Sequence, residues 1–274
     1  MKKIIAPIDF SETAENAALF AANLAQFYGA SLWLYHTYEI AIPVSSFGYP
    51  LITPGEMHNA SWSEMEMYKE RMLASLQTPV DIHIVTENAV FTTGLSTLCD
   101  ELKPDMVVMG ITGKNALARL VIGSNTIKVI QHILYPVLVI PPKARFVPIR
   151  KIGFACDYEK VIVTTPIEPL KKLVHDFNAA LFVLNIVYSD KTSPAENIEE
   201  TMHISELLKD LKPEYHTILT GDVVYGINYF AEKQRLDLMV VMPKKHNIVE
   251  MLFTRDKTND LLYHTHIPVL CMHE

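Results

Sequence analysis

The stretch Asp105-Met106-Val107-Val108-Met109-Gly110-Ile111-Thr112-Gly113 is followed, after nine further residues, by Gly123-Ser124-Asn125-Thr126. Residues 105–109 form a short apolar run, which reads as a buried strand. A helical pattern opens at Gly123–Thr126, with Ile127, Val129, Ile130, Ile133 and Leu134 on its apolar side. The order is buried strand, glycine turn, helix start. Glycines permit φ > 0 and let backbone N–H groups come close to an anion. A helix start adds unpaired N–H groups and the positive end of the helix dipole, and the two together hold phosphate. Ser124 and Thr126 supply hydroxyl donors, and Lys114 and Arg119 are candidate point charges. Two known phosphate loops do not fit. The Walker loop needs four residues before its Gly-Lys pair and then Ser or Thr, whereas two residues separate Gly110 from Gly113, and Asn115 follows Lys114. The dinucleotide fingerprint Gly-x-Gly-x-x-Gly is missing after the first strand.

Toward the N-terminus, residues 3–8 are mostly apolar, as in a strand buried on both faces. Asp9 and Ser11 mark a strand-to-helix turn, with Ser11 as N-cap and Glu12 and Glu15 in the first turn. Ala14, Ala17, Ala18, Ala21, Leu24, Ala25 and Tyr28 share one helical face, and Gly29 ends the helix. Residues 31–37 read as a second strand. Residues 38–60, with Pro43, Pro50, Pro54, Gly48 and Gly55, read as one long loop and a candidate lid. Then follow a helix at 62–77, a strand at 80–86, a helix at 90–102, the strand at 105–109, a helix at 124–133 and a last strand, Val137 to Ile140. Pro141, Pro142 and Pro148 mark a linker. Alternating strands and helices predict an α/β fold, a doubly wound parallel sheet of five strands with right-handed crossovers. In such sheets a ligand lies at the carboxyl ends of the strands where strand order reverses, here between strands one and four. Asp9 and Gly110 fall at those two ends, so the two motifs form one site.

The spacing Gly-x2-Gly-x9-Gly-Ser, carried by Gly110, Gly113, Gly123 and Ser124, resembles the ATP-binding motif of the universal stress protein family. The N-terminal Ile5-Ala6-Pro7-Ile8-Asp9-Phe10-Ser11, the helix after it, and Gly29-Ala30-Ser31-Leu32 leading to His36 resemble the same family. The resemblance covers nearly all of residues 1–142 and, more weakly, 150–273. It implies a Rossmann-like domain of the adenine nucleotide alpha hydrolase kind, with ATP, ADP or AMP as ligand, magnesium accompanying it, and slow hydrolysis at most. In that reading Pro7, Ile8 and Thr37 border the adenine, and Asp9 contacts ribose or base. Met109, Gly110 and Gly113 line the ribose and phosphates, and Gly123, Ser124, Asn125 and Thr126 hold the phosphates. Each also has a plain structural use: Asp9 as a cap beside Ser11, the glycines as turn formers, Ser124 to Thr126 as a helix start.

The second half repeats the first. Ile152 to Asp157 parallels Ile4 to Asp9, and Asn178-Ala179-Ala180-Leu181 parallels Gly29-Ala30-Ser31-Leu32. Further on, Gly226 matches Gly94, Asp237 matches Asp105, and Ile267-Pro268-Val269-Leu270 matches Tyr135-Pro136-Val137-Leu138. The second half is shorter between these blocks, and the loss is expected mainly in the counterpart of the 38–60 loop. The glycine motif does not repeat: Met242, Lys245, Arg255 and Asp256 stand where Gly110, Gly113, Gly123 and Ser124 do. The chain therefore reads as two tandem domains, residues 1–143 with the intact motif and 150–274 with the fold alone. The short apolar strands Val137 to Ile140 and Val269 to Met272 are edges that pair readily. The resemblance makes that edge a dimer edge, hence an intramolecular pseudo-dimer of the two halves, with a homodimer as a further expectation.

With 274 residues, two domains of ordinary size are expected. Apolar residues make up 49% and charged residues 20%, and the net charge of -7 argues against a nucleic-acid groove, which needs clustered Lys and Arg. No run reaches the length of a membrane span and no signal peptide is read, so a cytoplasmic protein is expected. Cys99, Cys156 and Cys271 lack metal or redox spacing and read as reduced core thiols. His264, His266 and His273 lack a carboxylate or thiol partner, and no metal site is read. No nucleophile elbow or zinc-protease motif occurs, and no catalytic residue is assigned. Two other classes stay open beside a nucleotide-responsive stress or signalling module with an unidentified protein partner. One is a slow ATP-hydrolysing enzyme, and the other is an interaction scaffold without nucleotide.

Overall fold

The computed structural model describes residues 1–39, 53–111, 124–156, 167–187, 198–242 and 266–273. Gly113, Lys114, Arg119, Gly123, Asp157, Lys245, Arg255, Asp256 and His264 lie outside these residues, as does 40–52 of the anticipated loop. The chain divides into two compact units, one ending at Pro142 and the other beginning at Lys143.

The first unit contains β1 (Lys3–Pro7), α1 (Glu12–Tyr28), β2 (Ser31–Tyr38), α2 (Pro54–Ser75), β3 (Ile82–Asn88), α3 (Phe91–Leu102), β4 (Met106–Gly110), α4 (Ser124–His132) and β5 (Val137–Ile140). Its strand order is β3-β2-β1-β4-β5, with every pairing parallel. Order reverses between β1 and β4, the expected switch point. Ile4, Ile5 and Ala6 are fully buried, as an interior strand of a parallel sheet requires. Helix α1 is capped as its sequence dictates: Ser11 Oγ accepts from the Ala14 amide at 3.2 Å, and Gly29 closes the helix in the left-handed region at φ 60°. Its buried Ala14, Ala17, Ala18, Ala21, Ala22 and Ala25 give a thin face that seats the helix close to the sheet.

One expectation fails. Residues 54–60, read as loop, are the first two turns of α2, which runs to Ser75 rather than spanning 62–77. The cause is local. Thr53 is the N-cap, Pro54 stands at the first helical position, and Glu56 closes a capping box by accepting from the Thr53 amide at 2.7 Å. Strand boundaries shift by one or two residues as well; β3 runs from Ile82 to Asn88, and Gly110 closes β4 opposite Ile140 instead of opening the turn.

The second unit contains β6 (Lys151–Ala155), α5 (Ile167–Phe177), β7 (Ala180–Val187), α6 (Ile198–Leu208), β8 (Glu214–Leu219), α7 (Val223–Gln234), β9 (Leu238–Val241) and β10 (Val269–Cys271). Its parallel order is β8-β7-β6-β9-β10. The repeat extends to individual side chains. Asp105 Oδ2 accepts from the Lys2 and Lys3 amides at 2.6 and 3.0 Å, and Asp237 Oδ2 from the Arg150 and Lys151 amides at 2.8 and 2.9 Å. Each carboxylate ties the start of a first strand to the start of a fourth. The Lys3 ammonium donates to the Leu102 carbonyl and the Lys151 ammonium to that of Gln234. Left-handed helix ends recur at Gly29 and Asn178, and at Lys103 and Arg235. Helix α2 has 22 residues and its counterpart α6 has 11 among the described residues, while residues 188–197, the counterpart of the 38–60 loop, lie outside them.

All three cysteines are buried, and burial pushes the Cys99 and Cys271 thiols up to about 12. Among the described residues no helix is long and apolar enough to cross a membrane.

Candidate functional site

The rim formed by the carboxyl ends of β2, β1 and β4 is where the two sequence motifs meet. Ile4 pairs with Met106 and Ile5 with Val107, so β1 and β4 are neighbours, and the turn after Pro7 emerges beside the end of β4. Pro7 and Ile8 are buried there. The Ile8 amide donates to the Tyr35 carbonyl at 2.7 Å, and the Ile8 carbonyl accepts from His36 Nδ1 at 2.7 Å. Thr37 follows in β2, half-buried and opposite Glu87.

Asp9 is oriented by its own turn. Its Oδ1 accepts from the Ser11 amide at 3.0 Å and from Ser11 Oγ at 2.5 Å, a short-range turn of the kind Asp favours. Ser11 Oγ in turn takes the Ala14 amide, so cap and carboxylate form one relay. Among the described residues, Asp9 Oδ2 has no partner, and the half-buried side chain keeps that acceptor available. Between them Phe10 adopts φ 58°, unusual for a residue with a side chain. Its ring lies 4.9 Å from that of His36 and meets Tyr68 of α2 edge-on at 6.3 Å. The Tyr68 hydroxyl donates to the Glu15 carbonyl, and burial, reinforced by the Glu15 charge, keeps it protonated.

On the β4 side, Met109 is buried opposite Val139 and Gly110 closes the strand. A Cβ on Gly110 would stand 2.6 Å from the Thr13 carbonyl oxygen and 2.9 Å from its carbon. The first turn of α1 thus presses on the end of β4, and packing alone demands this glycine. Helix α4 starts at Ser124, with Ser124 and Asn125 exposed. Thr126 is buried, and its hydroxyl donates to the Gly110 carbonyl at 3.0 Å. That hydrogen is committed to joining α4 to β4, so among the described residues Ser124 is the hydroxyl of this helix start without a partner.

The structure therefore brings Pro7, Ile8, Asp9, Thr37, Met109, Gly110, Ser124, Asn125 and Thr126 to one rim. Gly113 and Gly123 lie outside the described residues. Sequence reasoning missed three contributors: His36 as the clamp on Ile8, Phe10 in its left-handed turn, and Tyr68. The pattern held one signal for His36, its correspondence with Asn185 in the repeat. Nothing marked Phe10, because left-handed turns are normally written with Gly, Asn or Asp. Among the described residues no cluster of three or more His, Cys, Asp or Glu side chains is placed to hold a metal.

A model of the universal stress protein family matches residues 1–141. A universal stress protein of Methanocaldococcus jannaschii is 29% identical over 141 residues, 51% of this chain and 81% of that one. A universal stress protein of Thermus aquaticus is 29% identical over 140 residues, 51% of this chain and 98% of that one. The crystal structure of a universal stress protein from Archaeoglobus fulgidus covers 99% of this chain and 96% of its own, with TM-score 0.68 and 13% identity, a likeness of fold.

Proposed function

The chain belongs to the universal stress protein family, and from that premise we propose that its first unit binds ATP or a related adenine nucleotide. The chain then acts as a nucleotide-responsive stress or signalling module whose occupancy a partner protein reads. One observation carries this reading: Asp9 Oδ2, unpaired among the described residues, and the start of α4 stand at the carboxyl ends of adjacent strands on either side of the switch point. A nucleotide laid across that rim has its phosphates at the α4 amide groups, with Ser124 Oγ as a further donor. Its ribose lies at Asp9, which accepts from a sugar hydroxyl. Its base lies toward Ile8 and Thr37. The fit is chemical: a lone carboxylate acceptor suits a diol, and a helix start suits an anion. Gly113 and Gly123 complete the phosphate loop in this reading, and magnesium binds with the phosphates.

The second unit, with Met242 at the position of Gly110 and Arg255 at that of Gly123, serves as a scaffold without a nucleotide. The contact between Gly110 and Thr13 supports a second reading, in which the glycines serve packing and the protein is an interaction module.

The deciding experiment is calorimetric titration of ATP into the full chain, stripped of bound nucleotide, and into Gly123→Arg. One adenine nucleotide per chain for the native protein, with binding abolished in the variant, is expected. Two per chain would refute the scaffold role of the second unit, and none would leave the interaction module as the function.

A further inference from the structure

The first two strands of each unit are clamped at their carboxyl ends in the same way, with one difference in chemistry. In the first unit the Ile8 amide donates to the Tyr35 carbonyl, and the Ile8 carbonyl accepts from His36 Nδ1, each at 2.7 Å. In the second, the Cys156 amide donates to the Leu184 carbonyl, and the Cys156 carbonyl accepts from Asn185 Nδ2, each at 2.9 Å. Strand registers agree, with Lys3 opposite Ser31 and Lys151 opposite Ala180, so His36 and Asn185 hold corresponding positions. A side-chain donor at this point is a need of the fold. A buried carboxamide meets it in the unit that lacks the glycine motif, whereas His36 is only half-buried. The imidazole brings something that the clamp does not use, a second ring nitrogen.

The state of that nitrogen follows from the first. A carbonyl can only accept, so Nδ1 carries the hydrogen, and in the neutral ring Nε2 is a bare acceptor. Exchanging tautomers would break the 2.7 Å bond to Ile8. The Phe10 ring, tilted at 54° to the imidazole, braces it from the Asp9 turn. Among the described residues Nε2 has no partner. His36 stands at the end of β2, beyond β1 from Gly110 and the start of α4, which is the base end of a nucleotide whose phosphates lie at α4.

We infer that His36 Nε2 accepts a hydrogen bond from the exocyclic amino group of a 6-aminopurine and makes the site select adenine over 6-oxopurine nucleotides. This inference rests on the nucleotide-binding reading above. A 6-oxo group would set one lone pair against another and leave the fixed acceptor unpaired, and mispaired polar groups of that kind discriminate better than shape alone. Phe10 and the Ile8 carbonyl act as positioning groups that hold the acceptor in place.

The test compares ATP with inosine triphosphate in calorimetric titrations of the full chain and of His36→Asn. Asparagine keeps the clamp, as Asn185 does, but carries no atom as far out as Nε2. The native protein is expected to prefer ATP by about tenfold, the worth of one hydrogen bond. The variant should lose affinity for ATP and keep its affinity for inosine triphosphate. Equal weakening toward both ligands would reduce His36 to a clamp. Equal native affinities would overturn the inference while leaving the nucleotide site standing, and this holds whether or not the variant folds. Binding of neither ligand by the native protein would remove the nucleotide reading and the inference together.

Discussion

Replacing Gly110 by alanine separates what the motif does for packing from what it does for a ligand. The added methyl would meet the Thr13 backbone at 2.6 and 2.9 Å. That obstacle is main chain in the first turn of α1, not the end of a flexible side chain. Helix α1 cannot easily retreat, because its alanine face is buried against the sheet. Forcing a methyl into a filled space costs about 1–3 kcal/mol. Losing the extra chain entropy of glycine returns about 0.5–1 kcal/mol. The net expectation is a destabilisation of about 1–2 kcal/mol in protein free of nucleotide, or a Tm lower by roughly 2–8 °C for a chain of this size. Urea unfolding followed by far-UV circular dichroism measures it, and the slope of the transition should not change. A variant as stable as the native protein, or more so, that loses only ATP binding would refute the packing argument and make Gly110 a ligand residue alone.

Gly94→Ala and Gly55→Ala should differ in sign. At Gly94 a Cβ would stand 2.1 Å from the Tyr35 hydroxyl and 2.4 Å from Glu87 Oε1, breaking their hydrogen bond, whereas at Gly55 nothing among the described residues lies within 4 Å. Differential scanning calorimetry should show a lower Tm for the first, and for the second a gain of at most about 1 kcal/mol from helix propensity. Burial holds the His273 imidazole below its ordinary value. The unfolded chain then binds the proton first, so the stability that neutral His273 allows is complete above about pH 6.5 and falls as the pH drops toward the lowered folded value. His273→Leu should flatten that acid limb in urea midpoints measured between pH 7 and 5, and an unchanged limb would assign it to other groups.

Much of the fold was legible because the decisive signals are local. Ser11 and Gly29 bound α1 where their chemistry says they should, and the apolar runs gave each strand a place in a parallel sheet. The start of α2 was misread because Pro54 and Gly55 look like loop residues, although Thr53-x-x-Glu56 spelled a capping box. The rim was legible at Asp9 and Gly110, whose positions at the ends of β1 and β4 follow from topology. The roles of Phe10, His36 and Tyr68 were not legible, since each depends on contacts between residues far apart in the chain. Thr126 has a contact that the pattern did not announce: the residue is buried, and its hydroxyl donates to the Gly110 carbonyl across 16 positions of sequence.

The Asp105 and Asp237 carboxylates fasten their sheets at the amino ends of the strands, the rim opposite the one where Asp9 and Gly110 stand. Each unit is in this sense a two-ended object, shut at one rim and open at the other. Met242 stands at the open rim of the second unit, at the position of Gly110, while Asp237 fastens that unit's opposite rim and its strand register matches that of the first. A side-chain change at the open rim leaves the fastening untouched.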